Sequence, residues 1–214
     1  MTQLKFPSLP HNMLYRSHPW HGLSLGEQAP EVVNCYIEMV PTDTVKYELD
    51  KNTGILKVDR PQKFSSLCPS LYGLLPQTYC GQLIGKHCVE KTGRPNILGD
   101  EDPLDICVLT EKVIPRGDIM LRASPIGGFR LIDGEQADDK IIAVLMGDFI
   151  YEKFKDVSEL PENIVERLKH YFLTYKDAPD RINSRVQITH IYGVKEAHEI
   201  INLSQQDYCA KFSL

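Results

Sequence analysis

Asp100-Glu101-Asp102-Pro103-Leu104-Asp105-Ile106-Cys107-Val108-Leu109 sets three aspartates directly before an unbroken apolar run. The run, residues 106–109, has the length and composition of a buried strand. Pro103 pushes Asp102 away from helical geometry, toward β or polyproline. In an extended stretch Asp100 and Asp102 point to the same side, and Asp105 opens the strand. Three carboxylates are therefore expected to meet at the mouth of a strand. Like charges held that close call for a cation or a bound proton. Ligands that are all oxygen suit a hard divalent ion such as magnesium. The plain alternative is a solvated acidic turn. An EF-hand loop is excluded, because it needs glycine at its sixth position and this stretch has Asp105 there.

Outward from this stretch the chain reads β. Strands are predicted at 32–40, 44–50, 55–60, 106–110, 119–125, 128–132, 140–147 and 186–192. In 44–50, Val45, Tyr47 and Leu49 alternate with Lys46 and Glu48. Lys51-Asn52-Thr53-Gly54 is the turn to the next strand. Residues 74–99 carry several glycines and no clear periodicity, so they read as an unusually long loop, either functional or inserted. A helix is predicted from about Pro161, with Ile164, Val165, Leu168, Tyr171, Phe172 and Tyr175 at helical spacing. A second helix is predicted from about Lys195 to Tyr208. Many short strands with two helices suggest a small β-barrel with helices outside it.

Composition bounds what such a fold can do. The chain has 214 residues, 42% hydrophobic and 25% charged, enough for one domain with a sizeable core. Its net charge is −5 with no long basic run, which argues against a general nucleic-acid binder. No apolar run approaches the about 20 residues of a membrane span. Residues 1–30 lack the apolar centre of a signal peptide. They are rich in Pro, His and Gly and are expected to lie as an arm over the body. A cytoplasmic location is the expectation. The six cysteines include no Cys-x-x-Cys pair. Cys80, His87 and Cys88 could form a soft-metal site, although reduced thiols are the plainer reading. Cys35 and Cys107 read as small core residues. His18-x-x-His21 could bind a metal, but packing of Trp20 explains that stretch more simply.

Further polar groups accompany the first acidic stretch. Asp133, Glu135, Asp138 and Asp139 precede Lys140, which starts an apolar strand. Glu38, Lys46 and Glu48 form another set, Asp59-Arg60 ends a strand, and Tyr175-Lys176 ends the long helix. Taken singly, these are solvated loops and exposed faces. Together, carboxylates at strand ends with Lys, Arg and Tyr nearby are the equipment of metal-assisted phosphoryl transfer.

At this point the residues resemble the family I soluble inorganic pyrophosphatases. Asp100 to Asp105 is similar to the family signature Asp-x-Asp-Pro-hydrophobic-Asp. Tyr36-Ile37-Glu38 resembles its first strand. Lys46-Tyr47-Glu48-Leu49-Asp50, Gly54 and Val58-Asp59-Arg60 resemble its next hairpin. Leu71-Tyr72-Gly73, Asp133 with Asp138 to Lys140, and His170-Tyr171-Phe172 through Tyr175-Lys176-Asp177 resemble later segments in the family's order. The likeness covers about residues 32–178. Two positions depart from the pattern. Cys68 stands where the family usually has a second tyrosine, and Gly134 where many relatives have a glutamate. The stretch 77–99 is longer than in short bacterial members.

The resemblance implies an α+β, mainly β fold, a five-stranded OB-like β-barrel with flanking α-helices. It implies a single domain over 1–214, with an N-terminal arm at 1–30 and a long loop or insertion at 77–99. The implied reaction is magnesium-dependent hydrolysis of pyrophosphate to two orthophosphates. Asp102 would be the catalytic base, while Asp100, Asp105 and Asp138 would hold Mg2+. Asp133 and Glu38 would help with further, substrate-borne magnesium. Lys46, Arg60, Tyr72, Lys140, Tyr175 and Lys176 would bind phosphate, and Glu48 and Asp59 would orient these cations. A homo-oligomer is implied, hexameric or dimeric, with no nucleic-acid or membrane partner. Two alternatives remain open: a metal-dependent phosphatase acting on organic phosphates, and a non-catalytic OB-type binding protein.

Overall fold

A computed structural model of the chain describes residues 17–176 and 185–212. Its strands are β1 (Val33–Met39), β2 (Val45–Leu49), β3 (Leu56–Pro61), β4 (Leu71–Leu74), β5 (Leu98–Gly99), β6 (Asp105–Leu109), β7 (Ile119–Asp133), β8 (Gln136–Ala137), β9 (Lys140–Leu145) and β10 (Val186–Gly193). Its α-helices, among the described residues, are α1 (Gln82–Thr92), α2 (Glu162–Thr174) and α3 (Val194–Phe212).

The path β1-β4-β6-β9-β7 closes on itself, because β7 also pairs with β1. This ring of strands is the OB-like arrangement expected, with α2 and α3 packed outside it. β1 and β6 are flanked by partners on both sides. They are accordingly buried along almost their whole length, as near-continuous apolar strands must be. The β2–β3 hairpin forms its own two-stranded sheet and leans over β1. In α2, Val165, Leu168, Tyr171 and Phe172 make one buried stripe. It covers Phe129, Leu131, Ile142 and Val144 of the ring.

Several expectations change. The predicted loop at 77–99 contains a helix, α1. Its buried face is made by Ile84, Gly85, His87 and Cys88, so no aliphatic stripe marks it. The predicted strands 119–125 and 128–132 are one strand, β7, interrupted only by a register shift between Pro125 and Gly127. β4 was not predicted, nor were the two-residue strands β5 and β8. Trp20 is buried, its indole N–H donating to the Thr78 carbonyl at 2.7 Å, and it stacks on His21. Residues 1–16 of the expected arm lie outside the described residues.

Candidate active site

Strand pairing assembles the site. β6 and β9 run parallel, with Asp105 opposite Lys140, so the first residue of each strand stands at the same end of the ring. β7 ends at Asp133, and the short turn through β8 brings Asp138 back beside Lys140. On the hairpin, Lys46 stands opposite Arg60. α2 ends at Thr174, which delivers Tyr175 and Lys176 to the same end.

These elements enclose a cleft of about 200 Å³ lined by Asp100, Asp102, Asp105, Asp133 and Asp138, and by Lys46, Arg60, Tyr72, Lys140, Tyr175 and Lys176. An adjoining recess of about 70 Å³ adds Glu38 and Glu48 and shares Asp102 and Asp105. Asp59 lines neither, but it accepts from Lys46 Nζ at 3.2 Å and pairs with Arg60. Residues scattered from 38 to 176 are thus brought together.

The acid stretch reaches the cleft by a route other than the one expected. It is not extended. Glu101 has φ +65°, and the Asp102 N–H donates to Asp100 Oδ1 at 3.0 Å. Asp100 and Asp102 are brought to the cleft by a tight turn rather than by strand alternation.

At the centre, the Lys140 ammonium donates to both Asp105 and Asp138. Tyr72 Oη donates to Asp105 Oδ2 at 2.6 Å. Burial, followed by the nearby charge of Asp138, pushes the Asp100 carboxyl well above its ordinary pKa. Burial also raises Asp138, with Asp105 adding to it. Burial alone would lower Lys140, but Asp105 and Asp138 outweigh it and raise it well above the usual lysine range. Burial lifts Glu38 to about 8, although its Oε1 accepts the Leu49 N–H at 2.6 Å.

Around this centre every other cation is held by a carboxylate. Lys46 Nζ donates to Glu48 Oε2 at 2.8 Å. Lys176 Nζ donates to Asp133 Oδ2 at 2.6 Å. The Arg60 guanidinium and the Lys176 ammonium lie 5.7 and 5.5 Å from the Tyr175 ring centroid. Glu48 was weighed above as an exposed face partner; it is instead half-buried and points into the site.

A family model, that of inorganic pyrophosphatases, matches residues 35–209. The chain belongs to the inorganic pyrophosphatase family. Its 54% identity to the inorganic pyrophosphatase of Chlamydia trachomatis extends over 200 residues, 92% of this chain and 96% of that one. The soluble inorganic pyrophosphatase of Oryza sativa subsp. indica is 36% identical over 91% of this chain and 80% of its own. Among solved structures, the inorganic pyrophosphatase of Thermus thermophilus superposes with a TM-score of 0.74 at 26% identity, covering 90% of this chain and 99% of that one. As a member of the family the chain is an enzyme, an inorganic diphosphatase that hydrolyses a phosphoanhydride.

The two departures from the inorganic pyrophosphatase pattern have local causes. Gly134 turns β7 into β8 at φ +67°, and a Cβ there would lie 2.9 Å from Arg185 Nη2. A glutamate at that position would be strained in this turn. Cys68 is buried in the core cluster with Tyr171, Phe172 and Cys107, and burial raises its thiol to about 11. It is a packed core thiol.

Sequence reasoning missed two polar residues of the site. Lys51, in the hairpin turn, pairs with Asp102. Gln136, in β8, lines the cleft. Neither belongs to a charge pattern, so only the fold could find them. Asp177 lies outside the described residues.

The donor set fits a divalent metal in kind. Asp100, Asp105 and Asp138 offer oxygen only, and burial, with neighbouring carboxylate charge adding to it, raises Asp100 and Asp138. Lys140 lies between Asp105 and Asp138 and pairs with both. Among the described residues no three His, Cys, Asp or Glu side chains already converge as one ion would need. The same holds for Cys80, His87 and Cys88: His87 turns to Glu196 of α3, with Nε2 3.4 Å from its carboxylate. No helix among the described residues is long and apolar enough to cross a membrane.

Proposed function

We propose that this chain hydrolyses inorganic pyrophosphate to two orthophosphates with magnesium, attack coming from water. The observation that carries the reading is the enclosure of Lys140 by Asp105 and Asp138, with Asp100 beside them, in a cleft that also gathers Asp102 and Asp133 with the cations Lys46, Arg60 and Lys176 and the phenols Tyr72 and Tyr175. Asp100, Asp105 and Asp138 would hold the metal, with Asp133 and Glu38 serving ions that arrive with the substrate. Magnesium, when bound, offsets the substrate's charge and makes water acidic enough to give up a proton near neutral pH.

The chain's own groups do the rest. Asp102 takes the proton from the attacking water as general base. Lys46, Arg60, Lys140 and Lys176 exchange carboxylate partners for phosphate oxygens. Their pairing beforehand with Glu48, Asp59, Asp105, Asp138 and Asp133 holds them aimed at the cleft, so little ordering remains when substrate enters. Tyr72 and Tyr175 present O–H donors to the same oxygens. Burial pushes the Tyr72 phenol well above its ordinary pKa, so it stays protonated and able to donate.

We further propose one domain over 1–214, a homo-oligomer, and a cytoplasmic location; six cysteines without disulfides support the last. The test is phosphate release with magnesium from pyrophosphate, nucleotides and sugar phosphates in parallel. Strong preference for pyrophosphate, abolished by chelator, is the expected result. Equal rates on organic phosphates would replace it with a general phosphatase, and no release at all would leave a binding protein.

A further inference from the structure

Helix α1 has no side chain of its own to cap its N-terminus, since the residue before it is Gly81. The cap comes from far along the chain. Asp207, on α3, accepts N–H bonds from Gly81 at 3.0 Å, from Leu83 at 3.0 Å and from Ile84 at 3.1 Å. Asp207 is buried and lines neither the cleft nor its recess. A carboxylate here satisfies the free N–H groups of the first turn and favours the positive end of the helix.

The capped end is continuous with the support of the acid stretch. The Cys80 N–H donates to the Asp102 carbonyl at 2.8 Å, and the Glu101 N–H donates to the Cys80 carbonyl at 3.0 Å. The Leu104 N–H donates to Thr78 Oγ1 at 2.9 Å. Peptide 78–80 therefore runs alongside the acid stretch and is bonded to it at three residues. α1 bears on the other arm of the same turn. A Cβ on Gly85 would lie 2.9 Å from Gly99 N, and one on Gly99 would lie 2.0 Å from the Cys80 carbonyl oxygen. Between these supports Glu101 holds its left-handed backbone, which a non-glycine residue keeps only where its surroundings enforce it.

We propose that Asp207 is a positioning residue for the reaction. By capping α1 it fixes peptide 78–81, and through that peptide the backbone of Glu101 and Asp102, in the register that aims Asp100 and Asp102 into the cleft. The stretch 77–99 is then a brace for the metal-binding turn. This rests on the magnesium-dependent pyrophosphate hydrolysis proposed above.

The test uses full-length protein with Asp207→Ala, with Asp207→Asn, which keeps one acceptor oxygen, and with Gly85→Ala, which presses on the brace from its far side. Magnesium binding is measured by calorimetry without substrate, and kcat, KM and melting temperature are measured beside it. Groups that orient metal ligands from outside typically control affinity or activity by about 10–100-fold. Magnesium affinity and kcat are expected to fall within that range in Asp207→Ala and less in Asp207→Asn, with KM changing little. If Asp207→Ala does not fold, the other two variants are read by the same titration. Folded variants with wild-type magnesium affinity and kcat, whatever their melting temperature, would make Asp207 purely structural and overturn the inference. Wild-type protein that neither binds magnesium nor hydrolyses pyrophosphate would instead remove the reading on which it rests.

Discussion

Lys140→Met asks whether the acidic cluster depends on its one central cation. Lys140 is 3% exposed, and the side chains of its partners Asp105 and Asp138 are 22% and 17% exposed. Methionine keeps much of the length and removes the charge. Breaking a buried ion pair by deleting one partner costs about 3–5 kcal/mol. Both carboxylates keep some contact with water, so the low end, about 3 kcal/mol, applies. In a domain of this size 1 kcal/mol moves Tm by about 2–4 °C, so the variant should melt about 6–12 °C below wild type in chelator. The pH dependence has a definite sign. Asp100 and Asp138 already stand above their ordinary values, and losing Lys140 raises them further. A carboxyl raised in the folded state favours folding at low pH and loses that contribution as pH rises through its folded value. The deficit should therefore widen as pH rises above the ordinary aspartate value of about 4. Magnesium should recover more Tm in the variant than in wild type, because no ammonium competes with it. At 100 times its Kd the recoverable part is about 2.7 kcal/mol. Calorimetric melting in chelator and in magnesium, across that pH range, is the assay. A Tm in chelator within about 2 °C of wild type, too small for the pair-breaking cost, would refute the reasoning. So would a deficit that does not change with pH.

Three further outcomes are expected. Glu38 is held at about 8 by burial, so in chelator it should cost stability progressively as pH rises from its ordinary value toward 8 and no more beyond. Glu38→Gln, which keeps an acceptor for the Leu49 N–H, should flatten that slope in melting curves, and an unchanged slope would count against the assignment. Asp102→Asn should lower kcat by about 10²–10⁴-fold with near-normal magnesium binding, whereas Asp105→Asn should weaken magnesium binding itself; superimposable metal titrations and rates would end that division of roles. Cys68→Tyr should overfill the core beside Tyr171, cost about 1–3 kcal/mol and bring no gain in kcat/KM; a faster enzyme with unchanged Tm would show that a phenol is missed there.

Several strands could be placed from sequence because β1, β6 and β9 are apolar runs bounded by polar turns, and the site because Asp100 to Asp105 announces itself as a like-charge cluster. The residue types of the site followed from the same local patterns. β2, with Lys46 and Glu48 alternating against Tyr47 and Leu49, was legible for that reason too. What sequence could not decide depended on contacts between distant segments. α1 escaped notice because Gly85, His87 and Cys88 are buried by closeness to Gly99 and α3, not by an aliphatic stripe. The bend at Glu101 escaped because its backbone is held by Cys80, some twenty residues earlier. Lys51 met Asp102 only through the lean of the hairpin over the ring. Local chemistry thus named most of the residues that line the cleft and their kind, since charge and apolar runs are properties of neighbours in the chain. Their convergence, the shifted pKa values and the brace beneath them came from tertiary structure, because burial and Coulomb forces act through space and have no register in sequence.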